Sequence, residues 1–235
     1  MDWALNAVLR DQSVNCVLDV GANVGQFAQM IRALGYAGRI VSFEPSPRAL
    51  PTLRAVAARD ASWIVRPVAL AAEPGVAEFH LHTGSDYDSL HAALPNATAQ
   101  FPRLTEVDTV TVTLSTLALE YAEAVAGLHE PRILLKSDTQ GHDLDVLAGG
   151  PGLPQVVAVL VELSAQAIYE GQPSMTRVMD ALQDEGFTPV AFQPISHASD
   201  NLRIIEFDGL FMRPRDSSDE TARQASGAPL QRLKG

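Results

Sequence analysis

Apolar positions along the chain follow two rhythms. Cys16–Val20, Arg39–Phe43, Ala61–Arg66, Arg132–Asp138 and Gln155–Leu163 are short and almost continuously apolar, as expected of strands buried on both faces. Between them apolar residues recur at helical spacing. Val24, Phe27, Ala28, Ile31 and Leu34 make one stripe that Gly35 ends. Ser46 is placed to cap a second helix that runs to about Ala58, with Pro47 at its first position. Further helices are predicted over Leu117–Gly127, from Asp143 to Ala148, and from a Ser174 cap to Glu185. Strand-helix-strand units joined in this way are right-handed and build a doubly wound, mostly parallel α/β sheet. Residues 1–12 predict a leading helix, with Trp3, Leu5, Val8 and Leu9 free to pack on the core or to cover a site.

A period of two interrupts this pattern at Gly75–His82 and again at Val110–Leu114, predicting an inserted antiparallel segment. The polar stretch Thr83–Asp108 joins them and reads as a lid or binding loop. His80, His82 and His91 read as a solvated strand face and a surface loop, and none stands at a metal-ligand spacing, so no metal is expected. The last strands are predicted at Thr188–Phe192 and Ile204–Met212. The connection between them, with His197 and Asp200, is expected to cap a substrate pocket. One domain is expected over residues 1–213, with a flexible, polar tail over 214–235.

The first strand-helix-strand unit carries the most specific chemistry. Gly21-Ala22-Asn23-Val24-Gly25 follows the first strand at once, and its two glycines allow a ligand close to the backbone. Exposed N–H groups of the turn and the helix start would favour a carboxylate or a phosphate. Glu44 ends the second strand about 20 residues on, the usual place for an acid that binds two ribose hydroxyls. The turn is G-x-x-x-G and not the G-x-G-x-x-G of a dinucleotide site, which argues against a nicotinamide oxidoreductase. Asp19 would repel a pyrophosphate and suits an amine. S-adenosyl-L-methionine, with an ammonium, a carboxylate, a ribose and no phosphate, meets these demands. Its adenine is expected against Val68–Leu70, which includes Ala69.

A second polar group gathers where the fourth buried strand ends. Lys136 and Asp138 point to one face, and His142 follows in the next turn. This strand end should face the cofactor across the point where the sheet reverses its winding. Glu162 ends the neighbouring apolar run, as an active-site acid or as the partner of Lys136. His142 is the candidate base, because imidazole titrates near neutral pH, with Asp138 to orient it or take the proton. Lys136 would steady a developing alkoxide. Rival readings are a metal-assisted enzyme with Asp138 and Glu162 as ligands, and a scaffold that binds the cofactor without consuming it.

Composition narrows the partners. A net charge of −11 disfavours nucleic acid and anionic membranes. The single cysteine, Cys16, excludes an internal disulfide, and no apolar run is long enough to span a membrane, so a soluble cytoplasmic setting is expected.

DVGANVGQF, FEPSP, ALAAEPG, DSL, VTLSTL, LLKSDTQGHDLDVLAGG, VELS and IYEGQPS occur in that order from Asp19 to Ser174. In these motifs the chain resembles FkbM-type S-adenosylmethionine-dependent methyltransferases. The resemblance implies a Rossmann-like sheet of seven strands with an antiparallel final hairpin (a class I methyltransferase). It implies O-methylation of hydroxyls on sugars, glycolipids or polyketide-type natural products. It also implies that Asp19, Gly21, Ala22, Asn23 and Gly25 hold the methionyl part of the cofactor. Glu44 would hold the ribose with Pro45 and Ser46 beside it, and the KSDTQG segment would border the methyl group and a small-molecule or glycolipid acceptor.

Overall fold

The computed structural model describes residues 1–150, 152–197 and 203–214. Helix α1 (Asp2–Asp11) leads into β1 (Cys16–Val20), α2 (Gln26–Ala33), β2 (Arg39–Phe43), α3 (Leu50–Ala57) and β3 (Trp63–Arg66). Short β4 (Ala69–Leu70) and long β5 (Gly75–His82) follow, then α4 (Pro95–Gln100) and β6 (Glu106–Ser115). The chain continues through α5 (Leu117–Ala124), β7 (Ile133–Ser137), α6 (Asp143–Ala148), β8 (Val156–Ser164) and α7 (Met175–Asp184) to the hairpin β9 (Thr188–His197) and β10 (Ile204–Met212). Among the described residues the main sheet has seven strands in the order β3-β2-β1-β7-β8-β10-β9. The first five of these are parallel to one another, and β10 runs antiparallel to both β8 and β9. A second sheet, ordered β4-β6-β5, contains the inserted antiparallel pair.

Alternation along the strands splits the core in two. Leu18, Val20, Val41, Phe43, Ile133, Leu135, Val159 and Val161 pack with the apolar residues of α5, α6 and α7. Val17, Ile40, Leu134, Ala158 and Leu160 pack on the other side with α1, α2 and α3. With a helix layer on each face, the parallel strands must be apolar nearly throughout. Helix α1 belongs to the second layer: Ala4, Leu5, Val8 and Leu9 are buried, Trp3 is exposed, and the helix does not cover the site. The third strand starts two residues later than expected, because Asp60 accepts the Ser62 N–H and closes a turn there.

The stretch Thr83–Asp108 is not a long irregular loop. It carries a 3-10 turn at Ser85–Tyr87, α4, a second 3-10 turn at Pro102–Leu104 and the start of β6. Ala97 and Leu104 pack with Ile168, Tyr169 and Ile205, flanked by Tyr87, Ala93, Leu94 and Phe101, to form a satellite core. The expected solvated face also fails at His82, which is fully buried, whereas His80 pairs with Glu106 at 2.8 Å. The final hairpin differs too. Gln193–His197 extends β9 as the sheet's edge strand, with Pro189 and Pro194 where an edge tolerates them, and does not line the cavity described below. Asp200 and residues 215–235, which are all of the predicted tail but its first residue, lie outside the described residues.

If the satellite core holds this segment, Leu104→Ala should destabilise the protein by about 2–5 kcal/mol, the usual range for a buried leucine. Denaturant unfolding would give the size. Amide exchange should show the loss of protection concentrated in residues 83–105, and uniform loss would contradict a separate cluster.

Candidate active site

The main sheet changes winding direction between β1 and β7, and a cavity opens at the carboxyl ends of these strands. Its floor comes from the turn after β1. Gly21 has φ +71°, and a Cβ there would lie 1.9 Å from the carbonyl oxygen of Asp138. Only glycine permits the β1 and β7 ends to come this close. Asn23 also takes a positive φ, +48°, and its Oδ1 is buried without a protein partner. Glu44 closes the turn from the end of β2, accepting the N–H groups of Asn23 at 2.6 Å and Ser46 at 2.7 Å. Burial lifts the Glu44 carboxyl to about 7 against the pull of these two N–H groups and of Lys136.

Several turn residues sit elsewhere than the sequence implied. The N–H groups of Gly21 and Ala22 donate to the carbonyl of Phe43, and that of Gly25 donates to Ala22. These groups, with the Asn23 N–H, are spent within the protein and are not offered to an anion. Gly25 has φ +88° at the start of α2, but a Cβ there would meet Trp63 and Leu53 at 2.9–3.0 Å. Its glycine makes room for packing beneath the turn. Ala22 lies in the α1–α3 core. Ser46 donates to Asp88 and does not line the cavity.

Asp19 is fully buried below the floor and does not line the cavity either. The sheet register places Ser42, Asp19 and Lys136 side by side on β2, β1 and β7. Trp63 Nε1 donates to Ser42 Oγ at 2.9 Å, and Ser42 Oγ donates to Asp19 Oδ2 at 3.0 Å. Lys136 Nζ completes the row, 3.3 Å from Asp19 Oδ1 and 3.5 Å from Asp138 Oδ2. It also donates to the carbonyls of Val20, at 3.2 Å, and Gly21, at 2.9 Å. Burial alone would lower the Lys136 pKa, and the Asp138 and Asp19 carboxylates outweigh it, so the ammonium is held charged. The direct partner of Lys136 is therefore Asp19 and not Glu162.

The opposite wall comes from β7, the turn after it, and the second sheet. Asp138, Thr139, Gln140 and His142 line it, and Asp143 shapes the turn by accepting from Ser137 and from Thr139. Gln140 Nε2 donates to Asp138 Oδ1 at 3.1 Å and to Glu162 Oε2 at 2.9 Å. An amide N–H₂ thus lies between the two carboxyls proposed as metal ligands. Among the described residues no group of three or more His, Cys, Asp or Glu side chains is placed to hold a metal. Glu162 itself does not line the cavity, and burial, followed by the Asp138 charge, raises its pKa well above the carboxylate range. Val68, Ala69 and Leu70 form an apolar side with Phe79 and Leu90, and Asp86 and Asp88 stand at its edge. Asp88 anchors this side by accepting from Arg48, the His82 N–H and Ser46.

Of the residues singled out in the sequence, Gly21, Asn23, Glu44, Pro45, Ala69, Asp138 and His142 share the cavity wall. Asp19, Ala22, Gly25, Ser46, Lys136 and Glu162 stand behind it. Sequence reasoning passed over Phe79, and it named Gln140 only as part of the KSDTQG segment, without its contacts. The inward phase of β5 signals the first. Nothing local signals the second, whose φ of +55° and contacts exist only in the fold.

The family model for the methyltransferase FkbM domain matches residues 19–189. No curated protein matches the chain. Among solved structures, the chain is similar to a methyltransferase FkbM from Methylobacillus flagellatus KT, at 12% identity and a TM-score of 0.47. That alignment covers 83% of this chain and 43% of the other, so the chain spans less than half of that protein's length. It is also similar to fibrillarin from Aeropyrum pernix, solved with natively bound S-adenosyl-L-methionine, at 15% identity, 84% and 66% coverage and a TM-score of 0.40. A precorrin-6y C5,15-methyltransferase from Geobacter metallireducens aligns at 12% identity, 90% and 88% coverage and a TM-score of 0.43.

The buried row gives a direct prediction. Lys136→Met leaves Asp19 charged and unpaired in the sheet, and should cost about 3–5 kcal/mol by denaturant unfolding. The double variant Lys136→Met with Asp19→Leu should recover much of that loss, because an apolar pair removes the stranded charge. Equal stability of the two variants would refute a coupled pair.

Proposed function

The chain belongs to the FkbM methyltransferase family, and we propose that it uses S-adenosyl-L-methionine to methylate a hydroxyl of a sugar, glycolipid or polyketide-type acceptor. One observation carries this reading: Asn23 and Glu44 line the same cavity as Asp138 and His142, at the carboxyl ends of β1 and β7. A cofactor half and a reaction half thus share one space.

The wall fits the cofactor chemically. Asn23 Oδ1, buried and unpartnered, is a ready acceptor for an ammonium N–H. Each Glu44 oxygen already accepts one backbone N–H and keeps a lone pair for a ribose hydroxyl. Val68, Ala69, Leu70 and Phe79 offer apolar surface to a base. When bound, S-adenosyl-L-methionine supplies an activated methyl group on a sulfonium that leaves as a neutral thioether. The residues need only position the acceptor, exclude water and take one proton.

His142 is the proposed base. Its Nε2 is buried with no protein partner, and burial pulls the ring's pKa below the ordinary histidine value, so it is neutral and able to accept at pH 7. Asp138, with a part-exposed carboxylate on the same cavity wall, would orient the acceptor hydroxyl. Lys136, behind the wall, positions Asp138 and does not reach an alkoxide.

Two measurements test this. Titration calorimetry with S-adenosylhomocysteine should show binding that tightens about tenfold between pH 6 and 8. Ribose hydroxyls donate to the ionised Glu44, whose free carboxyl titrates at about 7, so binding below that pH must first remove a proton. Glu44→Gln should bind more weakly and without that pH slope. No binding at any pH would overturn the cofactor assignment. In turnover assays on a panel of hydroxylated acceptors, His142→Ala should lower kcat by roughly 10²–10⁴, the usual share of a general base. Its affinity for S-adenosylhomocysteine should be unchanged, and full turnover would remove His142 from the reaction.

A further inference from the structure

His142 lines the cavity, and its Nδ1 is held by a second histidine. His91 Nε2 lies 3.1 Å from His142 Nδ1, with ring centroids 5.2 Å apart and planes tilted by 49°. His142 lines the cavity and His91 does not. The two nitrogens are within hydrogen-bond distance, so between two neutral rings one carries the proton and the other accepts it.

Asp145 favours a proton on the His142 side of this contact. Its Oδ2 lies 3.5 Å from the same His142 Nδ1, from the first turn of α6. That is too long for a hydrogen bond but close enough for charge to matter. A bare lone pair on Nδ1 would face a carboxylate and be repelled, whereas an N–H there is attracted. Nδ1–H then donates to His91 Nε2. The only nitrogen left bare on His142 is Nε2, the buried atom with no protein partner.

We propose that His91 is a positioning residue: it holds the His142 proton on Nδ1 and so leaves Nε2 as the bare acceptor. The proposal rests on the reading of His142 as the base. When the acceptor's O–H proton moves to Nε2, the resulting imidazolium keeps its Nδ1–H on His91, with Asp145 beside it to balance the charge. Burial lowers the pKa of both rings, and the charge of Asp145 opposes it in each; His80 also acts on His91. The pair is therefore neutral before the reaction.

His91 is itself held in place. Its N–H donates to Ser89 Oγ at 3.0 Å, and Ser89 Oγ donates to the Gln140 carbonyl at 2.8 Å. The segment after β5 is thus tied to the turn after β7 beside the histidine pair. The role of this segment at the site is to orient a side chain of that turn.

Ring nitrogen NMR of the ¹⁵N-labelled full chain tests this without an acceptor. In the unmodified protein His142 should show a protonated Nδ1 and a bare Nε2. His91→Phe removes the acceptor for Nδ1–H and should populate the Nε2–H form. His91→Gln offers a side-chain carbonyl to Nδ1–H and should restore the first pattern. On an active acceptor, kcat should fall about tenfold in His91→Phe with KM little changed, and return in His91→Gln, a small part of the range of a general base. A protonated Nε2 in the unmodified protein would overturn the proposal, as would an unchanged tautomer in His91→Phe. If His91→Phe does not fold, loss of the Nδ1–H form in His91→Gln would do the same. His142→Ala separates the two ideas: full turnover there defeats the base assignment, whereas a catalytic His142 whose tautomer ignores His91 defeats only the positioning role.

Discussion

The buried ion pair of Asp19 and Lys136 is the constraint around which the site is built. Parallel register makes the two residues neighbours on β1 and β7, at the level where the sheet gives way to the cavity. Lys136 also takes the last carbonyl of β1, Val20, and that of Gly21 in the turn, and Asp19 is bonded through Ser42 to Trp63, so four adjacent strands are tied in one row. Such a pair adds little net stability over an apolar one of the same shape, since desolvation offsets most of its attraction. What it does is punish a wrong register. A one-residue slip of β7 would turn Lys136 to the other face and leave both charges buried alone. Placement of Gly21 against Asp138, a fit with no room for a methyl group, depends on that register.

Above this row the structure accumulates carboxyls. Glu162 faces Asp208 across the β8–β10 ladder, Glu206 lies two residues along, and Asp138 is nearby. Burial raises the pKa of each of the first three, that of Asp208 to about 6, and the Asp138 charge raises them further. At a pH between their ordinary and their raised values, such groups are charged in the unfolded chain and protonated when folded. Their contribution to stability therefore declines as pH rises from the ordinary carboxylate range through the folded values. The fold tolerates this where Gln140 and Ser196 donate to the crowded oxygens. Glu206 Oε1 stays buried without a partner, so the network is only partly satisfied, but the Gln140 amide still ties Asp138 to Glu162.

Much of the fold was legible because it rests on local pattern. Buried strands read as continuous apolar runs, and β1, β2, β5, α6 and β10 fall where the pattern puts them. Glu44 was legible for a similar reason, because a strand end and a turn fix its place within one unit. Asp19 and Gly25 stand behind the cavity wall, a placement the sequence did not show because it gives a residue type but not its neighbour. An acid below a turn and an acid facing a ligand look alike until the register with Lys136 is known. A glycine that admits Trp63 looks like one that admits a cofactor. The segment 83–108 was read as a loop because its apolar residues follow neither period. They are gathered by Ile168, Tyr169 and Ile205, residues far along the chain.

This difference in legibility has a physical origin that also divides the site. The half lined by Gly21, Asn23 and Glu44 is made within one strand-helix-strand unit, by contacts between residues close in sequence. The half lined by Asp138 and His142 is completed by the long insertion, through Ser89 on the Gln140 carbonyl and His91 on His142. Contacts across such separations cost more chain entropy to form and leave no periodic trace in the sequence. They are also the contacts that an insertion can change without disturbing the sheet, since the satellite core carries its own packing. A fold arranged in this way holds the half around Glu44 constant through the register of β1 and β7. It leaves the geometry around His142 to the segment of the satellite core, whose side chains can change while Asp19, Lys136 and Glu44 stay as they are.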